Sequence, residues 1–583
     1  MSAFLGVELS LTGRRWIGPT AEVERQAEAI AQATGLPDTL ARILASRGVA
    51  PTEAEVFLAP SLRELMPDPS SFKDMDKAAA RIFAALQNRE RIAIFADYDV
   101  DGATSAAELL GWFDALGHTP TLYIPDRLTE GYGPNDAAMQ SLGAAHDLVI
   151  CVDCGTVAHG PIQKAVNAGA DVIVLDHHLG AETLPPALAV VNPNRQDETS
   201  EFTYLCAAGV VFLTLVAVNR HFREAGISAP PLMDMLDLVA LGTVADVAPL
   251  VGFNRALVRQ GLAVMASRTR PGLVALGDVA KLNSAPRAYH LGYLLGPRIN
   301  AGGRIGEANL GARLLTTTDP HEAEALAGRL NTLNAERRDI EAQVQAAAEV
   351  HAESHGLGLE APLIWAAGLG WHPGVVGIVA SRLKEKYNRP AVVIGIDEAG
   401  LGHGSGRSVS GIDLGAEIAA LAREGLISKG GGHKMAAGLS VSEAGIEAAM
   451  AALAQKLARQ GAGKIGPKDL LISATIGHAT PELIEQIEAA GPFGAGAPAP
   501  RFAIASARIR FAKPAGESHL RLTVDNGAGP LDIIAFRAFE SALGQALLNH
   551  AGQSFHFVGR LEIDEWGGRR KAKMQLEDAA KAL

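Results

Sequence analysis

Arg91-Ile92-Ala93-Ile94-Phe95-Ala96-Asp97-Tyr98-Asp99-Val100-Asp101-Gly102 is the stretch on which the fold turns. Its apolar residues run unbroken, three carboxylates follow at alternate positions, and a glycine closes the run. An apolar run without polar alternation fits a strand covered on both faces. Working outward, similar runs occur at 121–125, 147–152, 171–175 and 188–191, with helical stretches at 104–116, 136–142 and 160–168. This alternation predicts an α/β fold built on a parallel sheet. Sites in such sheets form in the loops at the carboxyl ends of strands. The three carboxylates stand at such an end.

Three further segment ends repeat the pattern: Val152-Asp153-Cys154-Gly155, Asp176-His177-His178 and Gly242-Thr243-Val244-Ala245-Asp246. One buried aspartate is ordinarily a cap, and one acidic turn is ordinarily solvated. Four acidic or histidine-bearing ends on one sheet edge instead call for a cation, because the carboxylates repel one another. A calcium loop of the EF-hand type would need flanking helices, whereas a strand precedes Asp97 and Glu108 falls inside a helix. Mixed carboxylate and imidazole donors suit Mn²⁺ or a similar borderline metal, with oxygens enough for two ions. Two ions can activate water without a side-chain nucleophile, and no Gly-x-Ser-x-Gly motif competes for that role.

A chain of 583 residues exceeds a single core, so several domains are expected. Residues 1–85 read as short helices broken by Pro37, Pro51, Pro60 and Pro67, and 86–318 hold the acidic motifs. A long polar helix over 319–355 connects to a second α/β unit at 356–460. Gly461–Pro467 reads as a linker, and strand-like runs within 468–583 predict a small barrel. Three cysteines supply no disulfide framework, which fits a reducing cytoplasm. The apolar run at 205–218 is too short to span a bilayer, and 1–16 lacks the pattern of a secretory signal. Net charge of −12 argues against coating nucleic acid by bulk electrostatics, although residues 501–583 carry 12 Lys/Arg against nine Asp/Glu.

Asp97 to Gly102, Val-Asp-Cys-Gly at 152–155, Asp176-His177-His178 and Gly242 to Asp246, in this order, resemble the four motifs of the DHH phosphoesterase superfamily. The similarity runs from about Glu53 to the end and is strongest to its bacterial exonucleases acting on single-stranded DNA. It implies a DHH domain, a DHHA1 accessory domain and an OB-type barrel. It further implies Asp99, Asp101, Asp153, His177 and Asp246 as metal ligands, with Asp153 bridging and Asp97 and His178 assisting catalysis.

For substrate the resemblance implies Arg127, Arg298, Asn300 and Arg304 on the catalytic side. On the accessory side it implies Trp371, His372, Ser405, Gly406, Arg407 and His433, with Arg127, Ser405 and Arg407 around a 5′-phosphate. Gly404 to Ser408 and Gly430 to His433 read as phosphate-cradling loops, and Gly296 to Arg304 as flexible backbone carrying two arginines. The expected activity is 5′-to-3′ hydrolysis of single-stranded DNA to mononucleotides with Mn²⁺ or Mg²⁺, in repair and recombination. The expected setting is a cytoplasmic monomer, off the membrane, with single-strand-binding protein and a helicase as partners. A phosphodiesterase for oligoribonucleotides or cyclic dinucleotides, and a non-catalytic replication scaffold, are the alternatives. The extra barrel speaks against the first and the intact acidic set against the second.

Overall fold

The computed structural model describes residues 3–126, 130–131, 133–565 and 570–582. The chain divides into two compact units. The first comprises Met1–Ile299, Asn309–Ala327 and Pro467–Leu583, and the second Asn300–Ala308 and Gly328–Gly466.

In the first unit, five parallel strands pair in the order Thr121–Tyr123, Ile92–Ala96, Leu148–Val152, Asp171–Leu175 and Ala189–Val191. Side chains alternate between two cores. Ile92, Ile94, Ile150, Val152 and Ile173 join the helices Met75–Gln87, Val100–Asp114 and Ala207–Glu224, while Ala93, Phe95, Val149, Val172 and Val174 join Asp136–Ala145 and His159–Asn167. Cover on both faces explains why these strands read as continuous apolar runs. Ile92–Ala96 connects forward to one neighbour, and the chain then returns to its other side. The strand order therefore switches at the strand that ends in Asp97, which in open α/β sheets marks the ligand crevice.

The helix expected over 104–116 begins earlier, at Val100. Asp99 caps it: its Oδ1 accepts from the amides of Asp101 and Gly102 at 2.9 and 3.1 Å. Gly102 serves close approach, since a Cβ there would stand 2.3 Å from the Asp97 carbonyl oxygen. The 205–218 run lies in the buried helix Ala207–Glu224. Among the described residues no helix is long and apolar enough to cross a membrane.

The same unit holds the terminal barrel. Phe502–Ala515 pairs antiparallel with both His519–Asp525 and Ser554–Asp564, and Pro530–Ala535 and Lys571–Lys581 close the ring. The N-terminal region contributes more than the expected helices. Its strand Arg14–Ile17 pairs parallel with Lys468–Leu471, and buried Trp16 donates its Nε1–H to Asp578 Oδ2 at 2.9 Å. Leu40 and Ile43 complete the barrel core.

The second unit carries most of the 35-residue helix Pro320–Ser354. Its sheet runs in the order Lys429–His433, Ala436–Ser442, Leu401–Arg407, Ala391–Ile396, Ile364–Leu369, and only the last pair is parallel. Two expectations are corrected here. Gly404 to Arg407 and Gly430 to His433 lie on strands, not in loops. Their glycines make room for neighbours: a Cβ on Gly402 would meet Ile394 at 2.8 Å, on Gly404 Leu439 at 2.8 Å, and on Gly406 Leu414 at 2.7 Å. Likewise Gly296–Ile305 is helical rather than flexible, with Gly296 packed against Ala245.

Candidate metal centre

Every acidic motif ends on the carboxyl edge of the parallel sheet or beside it. Asp97 follows Ile92–Ala96, and Asp153 follows Leu148–Val152 with a left-handed φ of 59° that turns its carboxylate inward. Asp176, His177 and His178 follow Asp171–Leu175, and Asp246 is the C-cap of the helix Leu236–Ala245. His177 Nε2 lies 3.2 Å from Asp153 Oδ1, 3.7 Å from Asp101 Oδ2 and 3.8 Å from Asp246 Oδ2. Among the described residues three groups have donor atoms spaced closely enough to hold an ion: Asp153 with His177 and His178, Asp101 with His177 and Asp246, and Asp97 with Asp99 and Asp153. Asp153 and His177 each belong to two of them. Asp97, which the motif resemblance kept apart from the ligands, stands within the third.

The electrostatics are those of a site short of positive charge. Burial, then the carboxylates of Asp99, Asp101, Asp97 and Asp246, push the Asp153 pKa well up. Burial also raises Asp101, and burial together with Asp101 and Asp99 lifts Asp246 to about 8. Asp153 Oδ1 and His177 Nε2 are buried atoms without a hydrogen-bond partner among the described residues. Buried polar atoms of this kind are costly, and a divalent cation would satisfy both. The residues present therefore fit an ion bound by carboxylate oxygens and imidazole.

Asp101 has a second duty. Its two oxygens accept from the amides of Ala207 and Ala208 at 2.6 and 3.0 Å, which anchors the start of Ala207–Glu224. His178 is governed by Asp176. Burial opposes its charge, but the 2.8 Å bond to Asp176 and the nearby Asp246 and Asp97 hold its pKa up at about 9. Asp176 in turn stays ionised below the usual carboxylate range despite burial, through His178, Thr156 and His177.

Sequence reasoning gave Asp176 no role and missed Asn192 and Asn194. Asp176 accepts from the amides of His177 and His178 at 2.7 and 3.2 Å. Asn192 donates to the His178 carbonyl at 2.8 Å, and Asn194 to that of His177 at 2.7 Å. The available signal was position: both asparagines follow Ala189–Val191 at the same sheet edge.

The expected substrate residues divide. Arg127 lies outside the described residues. Arg298 is in the first unit and donates to the Leu294 carbonyl at 2.6 Å. Asn300, Arg304, Trp371, His372, Ser405, Gly406, Arg407 and His433 belong to the second unit. There the helix Pro373–Tyr387 gathers four of them. His372 caps it by accepting from the Gly374 amide at 3.0 Å, and Arg304 donates to the Gly374 carbonyl at 3.2 Å. Ser405 and Arg407, bonded at 2.9 Å, sit against Gly377. His433 lies at the same sheet end as Arg407, with Ala436 paired to both. Trp371 is half-buried against Gly368 and Gly395, where any side chain would collide with it.

A paired carboxylate and imidazole cluster at the switch point of a parallel sheet defines a DHH-type centre, and comparison with known proteins agrees. The model of the DHH family N-terminal domain matches residues 91–243, that of the DHHA1 domain 360–459, and that of the RecJ OB domain 472–578. Single-stranded-DNA-specific exonuclease RecJ of Dickeya dadantii is 35% identical, over 96% of this chain and 97% of its own. The Escherichia coli protein of that name is 34% identical, over 96% and 98%. The crystal structure of RecJ from Thermus thermophilus in complex with Mn²⁺ superposes with a TM-score of 0.79 at 31% identity, covering 97% of this chain and 79% of that one. The chain belongs to the RecJ family.

Proposed function

We propose that this chain is a metal-dependent exonuclease that removes mononucleotides from the 5′ end of single-stranded DNA. The observation that carries the proposal is the sharing of Asp153 and His177 between overlapping groups of metal donors. Asp97, Asp99, Asp101, Asp153, His177 and Asp246 would hold two ions, Mn²⁺ or Mg²⁺. When bound, such ions supply water activation and charge neutralisation at the phosphoryl group.

The chain's own residues supply the rest. Asp153, fixed by its left-handed backbone, keeps its carboxylate in the interior of the cluster. Asp176, bonded to His178 Nδ1, favours the charged imidazolium, and in that form Nε2 carries a proton that can be given to a phosphoryl or leaving oxygen. Asp101 ties the ligand loop to a helix amide pair and limits its movement. Ser405 and Arg407 offer a hydroxyl and a guanidinium suited to a terminal phosphate. The barrel would lengthen the grip on a single strand. Action in repair and recombination, beside a single-strand-binding protein and a helicase, belongs to the same proposal.

The deciding experiment uses the full chain with Mn²⁺ or Mg²⁺ and end-labelled DNA. A 5′-phosphorylated single strand should be shortened from that end to mononucleotides, with blunt duplex spared. Removal from the 3′ end, or equal attack on duplex, would overturn the proposal.

A further inference from the structure

Tyr289 and Tyr293 are 58% and 71% exposed, with ring centroids 5.0 Å apart and planes 25° from parallel. Aromatic rings of this size usually bury their faces, yet this stacked pair presents them. Its helix is placed with care. Ala288–His290 leads into a wide-turned π segment, Leu291–Leu295, which continues as Gly296–Ile305. Such π segments are concentrated at functional sites.

Leu291 and Leu295 are buried, and Gly292 and Gly296 let the helical run approach the helix that ends at Asp246. A methyl on Gly292 would lie 3.4 Å from Val244, and one on Gly296 3.3 Å from Ala245. Val244 and Ala245 close the helix whose C-cap is Asp246. The tyrosine pair is thus carried by the helical run that packs, through Gly292 and Gly296, against the end of the helix capped by Asp246, and Arg298 follows on the same run.

We infer that Tyr289 and Tyr293 form a base-stacking platform for the strand held at the metal centre. The inference rests on the exonuclease reading. Two stacked rings on the helical run that packs against the Asp246 helix match a polymer that alternates phosphates with flat bases, and stacking of this kind is tolerant of sequence. Among the described residues of the barrel, Phe502 and Phe557 are in its core, while half-exposed Phe511 lies under the Lys513 ammonium at 5.6 Å and half-exposed Phe536 meets the His519 ring edge-on at 5.1 Å.

The test compares wild type, a Tyr289→Ala/Tyr293→Ala double variant and the matching Tyr→Phe pair, all full-length with Mn²⁺. The substrates are a 5′-phosphorylated oligothymidine and the same strand with abasic residues near its 5′ end. The alanine pair should raise KM on the intact strand about tenfold with kcat little changed. Wild type should suffer a similar rise on the abasic strand, the alanine pair should be indifferent to base removal, and the phenylalanine pair should behave as wild type. An unchanged KM in the alanine pair, or an abasic penalty that persists in it, overturns the platform alone. Failure of wild type to degrade either strand overturns the exonuclease reading and the platform with it.

Discussion

The acidic edge of the parallel sheet and the glycine-rich sheet of the second unit both suggest ligand-binding loops in sequence, and they differ in what makes them unusual. At the acidic edge, polar groups are held where the described residues do not satisfy them: Asp153 Oδ1 and His177 Nε2 are buried without a hydrogen bond to any of these, and Asp153 adopts a left-handed backbone. In the glycine-rich sheet Gly402, Gly404 and Gly406 lie on strand backbone and answer to the bulk of Ile394, Leu439 and Leu414, while Gly432, with a φ of 151°, lies against the Ala436 and Ala437 backbone. Strain and unmet polarity mark a site awaiting a ligand. Absent side chains can simply mark a neighbour.

Substitutions can break this contrast, and Asp153→Ala is the sharpest. It should lower kcat on single-stranded DNA by roughly 10³-fold or more while circular dichroism remains that of the folded chain. Retained turnover would remove Asp153 from the centre. Asp176→Asn should cost about 10–100-fold in activity or Mn²⁺ affinity, because the loop amides and the charge on His178 depend on that carboxylate. Full activity together with an unshifted His178 titration by NMR would contradict the role given to Asp176.

The glycine-rich sheet should respond in stability. Gly404→Val forces atoms against Leu439 and Ile394 and should destabilise the fold by about 1–3 kcal/mol in urea titration. If Gly404 instead served a phosphate, stability would hold and only KM would rise. Without metal, Asp246 keeps its proton to about pH 8 in the folded chain, against about 4 when unfolded. The folded state then binds more protons across that window, so the melting temperature of the ion-free protein should fall as pH rises from 5 to 8. Mn²⁺ should offset the fall increasingly toward pH 8. Gly431→Ala, with open space around the new methyl, should shift stability by no more than about 0.5 kcal/mol.

Much of this arrangement was legible in sequence because the physics is local. Apolar runs such as Ile92–Ala96 announced buried parallel strands, and their polar endings announced the sheet edge. The rest was hidden wherever a residue answers to something distant in the chain. Asp101 caps a helix more than a hundred positions away. The strand Arg14–Ile17 has no partner until Lys468–Leu471. Glycines at 402, 404 and 406 look like a turn until the side chains filling their space are known. Asp176 was visible as a residue but not as an organiser, since its carboxylate ties the amides of its own loop to that of Thr156, on the neighbouring strand's loop.

The pairing of Arg14–Ile17 with Lys468–Leu471 also sets a timetable for biosynthesis. At about 5–20 residues per second, the ribosome needs roughly 25–90 seconds between these two segments. The sheet bearing the acidic cluster is complete in the nascent chain long before Trp16 can reach Asp578, 562 residues further on. The strand Arg14–Ile17 and the Trp16 ring therefore remain without these partners for most of translation.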